Sequence, residues 1–477
     1  MPAELGFPAC IAGGAPHDEP PRGAGRATMD AIPQRFEALT RADPEQPVAD
    51  GPGGVWTRAA LLERARELAA GLVGLPTGAV VGLACPRGPA FLAGFLAGRI
   101  AGVCVLLLDG ATPADEQRRH ARGLGAHAIW RPALTGADGD ALERLDGTAA
   151  FPTAACLKLS SGSTAAPKAI IVPTRSLVAD VEALSTSMGF GADDRFLAAI
   201  PLSHAYGLSV LASPALWFGA TLVFPEVGAE FEAAERYGAT VLPSVPSWFE
   251  AQLARGLALP AGVRLVMSAG APLSPRTASA WRAAHGRGIH VLYGSSECGG
   301  IAYDRTGSAA ERGAVGTAVD GVRIELDADG CVVVHSDVVG AGYHPPDAAG
   351  DARFAERCFR TEDLAAFRDG ELVLRGRRSD WINVKGHKVD PLEIARVLEG
   401  LAGVRDVAVL PKVLPDGRGE GIRAVIACPP GALGVREVLA WCSARLAPHK
   451  RPRSVVFVER LPRTARGKLD RAALEVL

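Results

Sequence analysis

The feature that most constrains the fold is a repeated alternation between short apolar runs and helical segments. Residues 58–72 set Leu61, Leu62, Ala65, Leu68, Ala69 and Leu72 at helical spacing, which predicts a helix with one buried face. Residues 80–84 and 103–108 are short continuous apolar runs, as in strands covered on both faces. Residues 86–101 between them read as a helix, so the three segments form a βαβ-like unit. Strand-length runs return at 196–200, 221–224, 240–242, 263–267 and 290–292. From 313 to 374 the rhythm becomes short strands and turns (322–326, 332–335, 372–374), which fits a small β-rich subdomain.

After Gly376 the pattern resets: helix at 391–398, strands at 404–410 and 422–428, helix at 435–446, strand at 454–457. A segment of about 100 residues is large enough to fold on its own. The expectation is an α/β protein. A large N-terminal domain of helix-flanked sheets with a small β-rich subdomain covers 29–376, and a small C-terminal α+β domain covers 377–477, with the boundary within 376–380. Residues 1–28 are rich in Gly, Pro and Ala and lack the apolar core of a signal peptide, so they read as a disordered extension, with Met29 an alternative start. No internal repeat is visible.

The formal net charge is −1, which gives no electrostatic reason to expect nucleic acid or an anionic membrane as a partner. No apolar run reaches the roughly 18–20 residues of a membrane span. Nine cysteines occur without a CxxC or Cys/His pairing and read as reduced thiols of a cytoplasmic protein, with neither a zinc site nor a disulfide framework. Of 51 basic residues only seven are lysines, at 158, 168, 385, 388, 412, 450 and 468. Where arginine supplies nearly all the positive charge, a lysine stands out as a compact point charge suited to a phosphate or carboxylate oxygen.

Several segments carry candidate chemistry. Residues 160–168, SSGSTAAPK, follow an apolar strand-like run at 155–159. Ser160, Ser161, Ser163 and Thr164 offer hydroxyls, Gly162 permits a tight turn, and Lys168 adds a charge, a set able to wrap a phosphate chain. The Walker pattern requires Ser or Thr after the lysine, and Ala169 fails it. Residues 201–208 read PLSHAYGL, with His204 beside Tyr206, and 268–273 read SAGAPL after the run at 263–267. Residues 293–297, YGSSE, hold an aromatic able to stack on a purine, a hydroxyl at Ser296, and a carboxylate at Glu297 able to hold Mg²⁺ through oxygen. Asp363 lies in FRTEDL (359–364), Arg377 and Lys388 in GRRSDWINVKGHKV (376–389), and Lys468 in PRTARGKLDR (462–471). Taken singly, each is as readily a turn or a solvated charge.

In order and spacing, these segments resemble the adenylate-forming enzymes: acyl-CoA synthetases, adenylation domains of peptide synthetases, and luciferases. The resemblance covers most of residues 35–477. It implies a nucleotide site made of Ser160, Ser161, Gly162, Ser163, Thr164, Lys168, Gly270, Ala271, Pro272, Tyr293, Gly294, Ser295, Ser296, Asp363, Arg377 and Lys388. Glu297 would hold Mg²⁺, and Asp363 would accept both ribose hydroxyls. Lys468 would be the catalytic lysine bridging carboxylate and α-phosphate, and Gly386 would line a thiol channel. His204, Ala205, Tyr206, Val245 and Cys298, with Trp248 nearby, would form the acid-substrate pocket. The small residues Ala205, Gly207 and Ser209 leave room for an aryl or acyl group, and the absence of an acid at 204–206 disfavours an α-amino acid substrate.

The chain departs from the family pattern at Ala165 and Glu362, where glycine is usual, at Ser379, and at Lys388, which replaces arginine. The implied activity is an ATP- and Mg²⁺-dependent ligase that forms an acyl-adenylate from an aryl or fatty acid and passes it to CoA. One alternative is loading of the phosphopantetheine of a separate carrier protein. Another, of a different class, is a degenerate nucleotide-binding homologue without catalysis.

Overall fold

The computed structural model describes residues 30–85, 88–133, 139–160, 167–346, 348–378, 381–384, 387–413, 420–464 and 469–477. The expectations for residues 1–28, Ser161, Gly162, Ser163, Thr164, Ala165, Ser379, Gly386 and Lys468 lie outside these residues, as does the side chain of Lys388.

Two large sheets form the body. In one, strands Ala128–Arg131, Val80–Cys85, Cys104–Asp109 and Ala154–Leu159 run parallel in that spatial order, and antiparallel strands Ala169–Pro173 and Tyr343–His344 extend the edge. In the other, six parallel strands lie in the order Pro47–Asp50, Thr221–Val223, Arg195–Leu197, Val241–Ser244, Leu265–Ser268 and His290–Ser295. Gly299–Tyr303 then folds back antiparallel on the last of them.

The period-2 alternation of strand side chains explains the layering. Val81, Leu83, Val105 and Leu107 from the first sheet share one apolar cluster with Phe196, Leu222, Val241 and Met267 from the second, and with Leu61, Phe91, Phe95 and Leu211 from the helices between them. The alternate residues face outward. Val80, Ala84, Leu106 and Leu108 are covered by Ala121 and Leu124, and Leu197, Leu242 and Val266 by Phe231, Phe249 and Trp281. Both faces of each sheet are therefore buried, which is why the strand runs are continuously apolar.

Helices begin where the sequence provides starts. Asp30 caps Ala31–Ala42 by accepting from the Ile32 N–H at 3.0 Å, and its carboxylate also pairs with buried Arg99. The helix expected over 86–101 runs Pro89–Ile100, with proline in the first turn where no backbone donor is missed.

The β-rich subdomain is a five-stranded antiparallel sheet in which Cys358–Arg368 pairs with Cys331–His335, Phe354–Ala355 and Glu371–Arg377. Beyond it, Ile382–Val384 and His387–Val389 form a hairpin, followed by helix Pro391–Glu399. A three-stranded sheet of Asp406–Val413, Glu420–Ala427 and Ser454–Val458 comes next. Ile382, Ile394, Leu398, Ile422, Ile426 and Val438 form a core separate from that of the body. Among the described residues, Arg276 Nη1 donates to the Val404 carbonyl at 3.0 Å, Arg396 Nη2 to the Leu374 carbonyl at 2.8 Å and Arg378 Nη1 to Asp329 Oδ2 at 2.6 Å, all joining this part of the chain to the rest. Among the described residues no helix is long and apolar enough to cross a membrane.

Candidate active site

Among the described residues, several of those singled out in the sequence lie at the carboxyl ends of parallel strands in the two large sheets, where open α/β folds place ligands, while Asp363 and Arg377 come from the antiparallel β-rich sheet. Ser160 directly follows Ala154–Leu159, and its N–H donates to the Lys168 carbonyl at 2.9 Å, which holds these two residues side by side. Gly270, Ala271 and Pro272 follow Leu265–Ser268, and Val245 follows the adjacent strand Val241–Ser244, so the two loops emerge side by side. Glu297 sits in the turn between His290–Ser295 and Gly299–Tyr303.

Tyr293, Asp363 and Arg377 form one cluster. The Tyr293 hydroxyl donates to Asp363 Oδ2 at 2.6 Å, and Arg377 Nε donates to Asp363 Oδ1 at 2.7 Å. Strand pairing positions the last two, because Asp363 and Arg377 are direct cross-strand partners. Burial and the neighbouring carboxylate push the Tyr293 phenol well above its ordinary pKa, so it stays a donor. A carboxylate offers about four lone-pair positions, and these two donors occupy two, leaving capacity for a vicinal diol.

A second polar group lies around Tyr343, which sequence reasoning missed. Lys168 Nζ stands 3.5 Å above the centroid of the Tyr343 ring, and the Tyr343 hydroxyl donates to Glu297 Oε1 at 2.9 Å. Strand Tyr343–His344 creates this meeting. Tyr343 is paired with Ile170, and side chains alternate along a strand, so it lies on the same face as Lys168 two residues earlier. Ser295 shapes the turn itself: its hydroxyl accepts from the Glu297 N–H and shares a hydrogen bond with the Cys298 thiol, both at 3.2 Å. Gly294 is constrained by packing, since a Cβ there would stand 2.4 Å from the Gly299 carbonyl oxygen. Ser296 is half-buried in the same turn. Lys388 lies on strand His387–Val389, opposite Asn383.

The residues expected to hold the acid are disposed differently. Tyr206, Val245 and Cys298 all belong to the apolar cluster between the sheets. The Tyr206 hydroxyl is buried and has no hydrogen-bond partner among the described residues. The Cys298 thiol is fully buried, and burial raises its pKa far above that of a free thiol, so it is no nucleophile. His204 Nε2 lies 3.3 Å from Asp109 Oδ2, and Asp109 is itself fixed by the Ala111 N–H at 2.9 Å. Ala205, next to His204, is half-buried.

Two expectations about this region need correction. Gly207 does not leave room for substrate: it is buried, and a Cβ on it would stand 2.0 Å from the Pro201 carbonyl oxygen, so backbone packing demands the glycine. Trp248 packs edge-on against Phe231 and Phe249 in the outer aromatic cluster, with ring centroids 5.4 and 5.1 Å apart. Asp109 was also missed. The available signal was a charged residue ending an apolar parallel strand, at the edge where such folds bind ligands.

The profile of AMP-binding enzymes matches residues 147–343, and that of the AMP-binding enzyme C-terminal domain matches residues 393–468. A 4-coumarate–CoA ligase-like protein of Oryza sativa subsp. japonica is 32% identical over 347 residues, covering 67% of this chain and 62% of its own. The indoleacetate–CoA ligase of Aromatoleum aromaticum is 31% identical over 359 residues, covering 71% of this chain and 69% of its own. With the first of these the chain therefore spans a little under two thirds of the relative's length. ATP-bound MatB from Rhodopseudomonas palustris shares the fold, with TM-score 0.81 at 24% identity over 93% of this chain and 98% of that one. The chain belongs to the adenylate-forming superfamily of AMP-binding enzymes.

Proposed function

We propose that this protein is an AMP-forming carboxylic acid–CoA ligase acting on an aryl or fatty carboxylate in the cytoplasm. The observation that carries this reading is the Asp363 cluster: a buried carboxylate, held by Tyr293 and Arg377 and still able to accept a ribose diol, one strand end away from Lys168 and Glu297. A nucleotide held there would lay its adenine along Gly270–Pro272 and Tyr293, and its phosphates toward Lys168, Ser296 and the loop at 161–164. Arg377 and Lys388 would flank the ribose and phosphate.

The residues fit a magnesium ion. Glu297 offers a hard oxygen donor, and among the described residues no group of three or more His, Cys, Asp or Glu forms a closed metal cage. That suits an ion which takes most of its ligands from phosphates and water. When bound, it would neutralise charge on the phosphates.

The chemical difficulty is bringing a carboxylate up to the α-phosphate, two anions in one place. Lys168 and Lys468 would offset that repulsion, Lys468 bridging the attacking carboxylate and the α-phosphate as charge shifts between them. The carboxylate oxygen displaces pyrophosphate to give acyl-AMP, and a CoA thiolate then displaces AMP to give the thioester. We place a domain division at 376/377, across which 377–477 turns between the two steps, withdrawing Lys468 and presenting Gly386 to the pantetheine arm.

On the acid side, Tyr206, Val245 and Cys298 offer apolar surface, and His204 is already engaged by Asp109. That favours an uncharged aryl or alkyl group over a second carboxylate or an ammonium. The test is a panel of benzoates, cinnamates, arylacetates, fatty acids and dicarboxylates incubated with ATP, Mg²⁺ and CoA, with thioesters identified by mass spectrometry. Thioester formation from a monocarboxylate is expected. Transfer only to a purified carrier protein would replace CoA in the reading, and no acyl transfer to any acceptor would overturn it.

A further inference from the structure

We propose that Tyr343 is a positioning residue that couples the phosphate-loop lysine to the metal-binding carboxylate, and that Glu362 acts on this coupling through Arg353. The proposal rests on the reading of Lys168 and Glu297 as phosphate and metal ligands, and it assigns roles to three residues outside that reading.

The geometry forms an unbroken chain. Glu362 Oε1 lies 3.5 Å from Arg353 Nη1, and Arg353 Nη2 donates to the Tyr343 hydroxyl at 3.1 Å. That hydroxyl donates its own proton to Glu297 Oε1 at 2.9 Å, while the face of the same ring carries Lys168 Nζ at 3.5 Å. One phenol thus serves both charges, its edge orienting the carboxylate and its face holding the ammonium. A hydroxyl has one proton to give. By donating to the Tyr343 oxygen, Arg353 leaves that proton committed to Glu297.

The ring is itself held from several sides. Tyr343 is only 5% exposed, its N–H donates to Asp351 Oδ1 at 2.8 Å, and Phe354 packs edge-on against it at 5.4 Å. The arrangement also gives the departure at Glu362 a physical context. Strand Cys358–Arg368 turns Asp363 toward Tyr293 and the adjacent Glu362 toward Arg353, so a single strand anchors both polar groups of the site. Glycine at 362 would leave Arg353 without this partner.

The test is equilibrium binding of MgATP, and of ATP in EDTA, by calorimetry, alongside the kcat and KM of pyrophosphate exchange. Tyr343→Phe keeps the ring under Lys168 and removes the hydroxyl. It is expected to weaken MgATP by about tenfold while leaving ATP in EDTA and the KM for the acid unchanged, as for loss of one hydrogen bond to a charged group. Tyr343→Leu removes the ring as well and is expected to weaken both nucleotide forms. Glu362→Gly, a surface change that leaves the core intact, is expected to weaken MgATP about twofold. Unchanged MgATP affinity in Tyr343→Phe, or equal losses with and without metal, would overturn the proposal alone. Absence of MgATP binding by the unaltered protein would overturn both it and the reading it rests on.

Discussion

The two halves of the candidate site are built on opposite principles. On the nucleotide side every described acidic or aromatic group has a partner: Tyr293 and Arg377 on Asp363, Tyr343 on Glu297, Lys168 on the Tyr343 ring. On the acid side Tyr206, Val245 and Cys298 pack in the apolar cluster, the buried Tyr206 hydroxyl has no partner among the described residues, and the polar contacts there are His204 with Asp109 and Cys298 with Ser295. A nucleotide presents fixed charges and a fixed diol, so the groups that meet it must be held in place in advance. An aryl or alkyl group asks only for shape, and many residue combinations can provide shape. The difference predicts that mutations on the first side change affinity through specific lost bonds, and that mutations on the second change selectivity with little effect on nucleotide binding.

The largest expected effect is at Lys468. Lys468→Ala should reduce acid-dependent exchange of pyrophosphate into ATP by about 10²–10³-fold while sparing thioester formation from supplied acyl-adenylate. Equal loss in the two half-reactions would remove the assignment of Lys468 to the first step alone. Next comes Asp363→Ala, which removes the carboxylate that accepts from Arg377 and from the buried Tyr293 hydroxyl. ATP affinity should fall about a hundredfold, with about 1–3 kcal/mol of stability lost as well, measurable by urea unfolding. On the acid side, Asp109→Asn weakens the hold on His204. It should raise the KM for the acid about fivefold with ATP affinity unchanged, and a parallel loss of ATP affinity would erase the contrast between the halves. The smallest effect belongs to Tyr206→Phe. Removing a buried hydroxyl without a partner should leave stability equal or raise it by up to about 1 kcal/mol, whereas a loss in thermal unfolding would mean that the hydroxyl is satisfied in solution.

This contrast also explains what could be read from the sequence. Asp363, Arg377, Tyr293 and Glu297 stood out only as members of an ordered set of motifs; the structure joins the first three by hydrogen bonds and puts Glu297 in the turn after the strand that carries Tyr293. Continuous apolar runs identified most of the buried parallel strands with ends within three residues, since both sheet faces are covered, but the short strands Pro47–Asp50 and Ala128–Arg131 were not read. Tyr343 and Asp109 were not legible. They meet Glu297 and His204 across 46 and 95 positions of chain, and only the strand pairing makes them neighbours. Gly207 was misread for a different reason. A small residue can mean an empty pocket or a close backbone approach, and spacing alone does not separate the two.

The central claim is that this polar frame activates a carboxylate at the α-phosphate of ATP. Exchange of labelled pyrophosphate into ATP, measured without thiol over a panel of aryl and fatty acids, tests it most directly. No exchange is expected without acid, and exchange is expected with at least one monocarboxylate, lowered about 10²–10³-fold by Lys468→Ala. Tight ATP binding with no exchange for any acid in the panel would contradict it, and would leave a nucleotide-binding protein that does not catalyse the reaction.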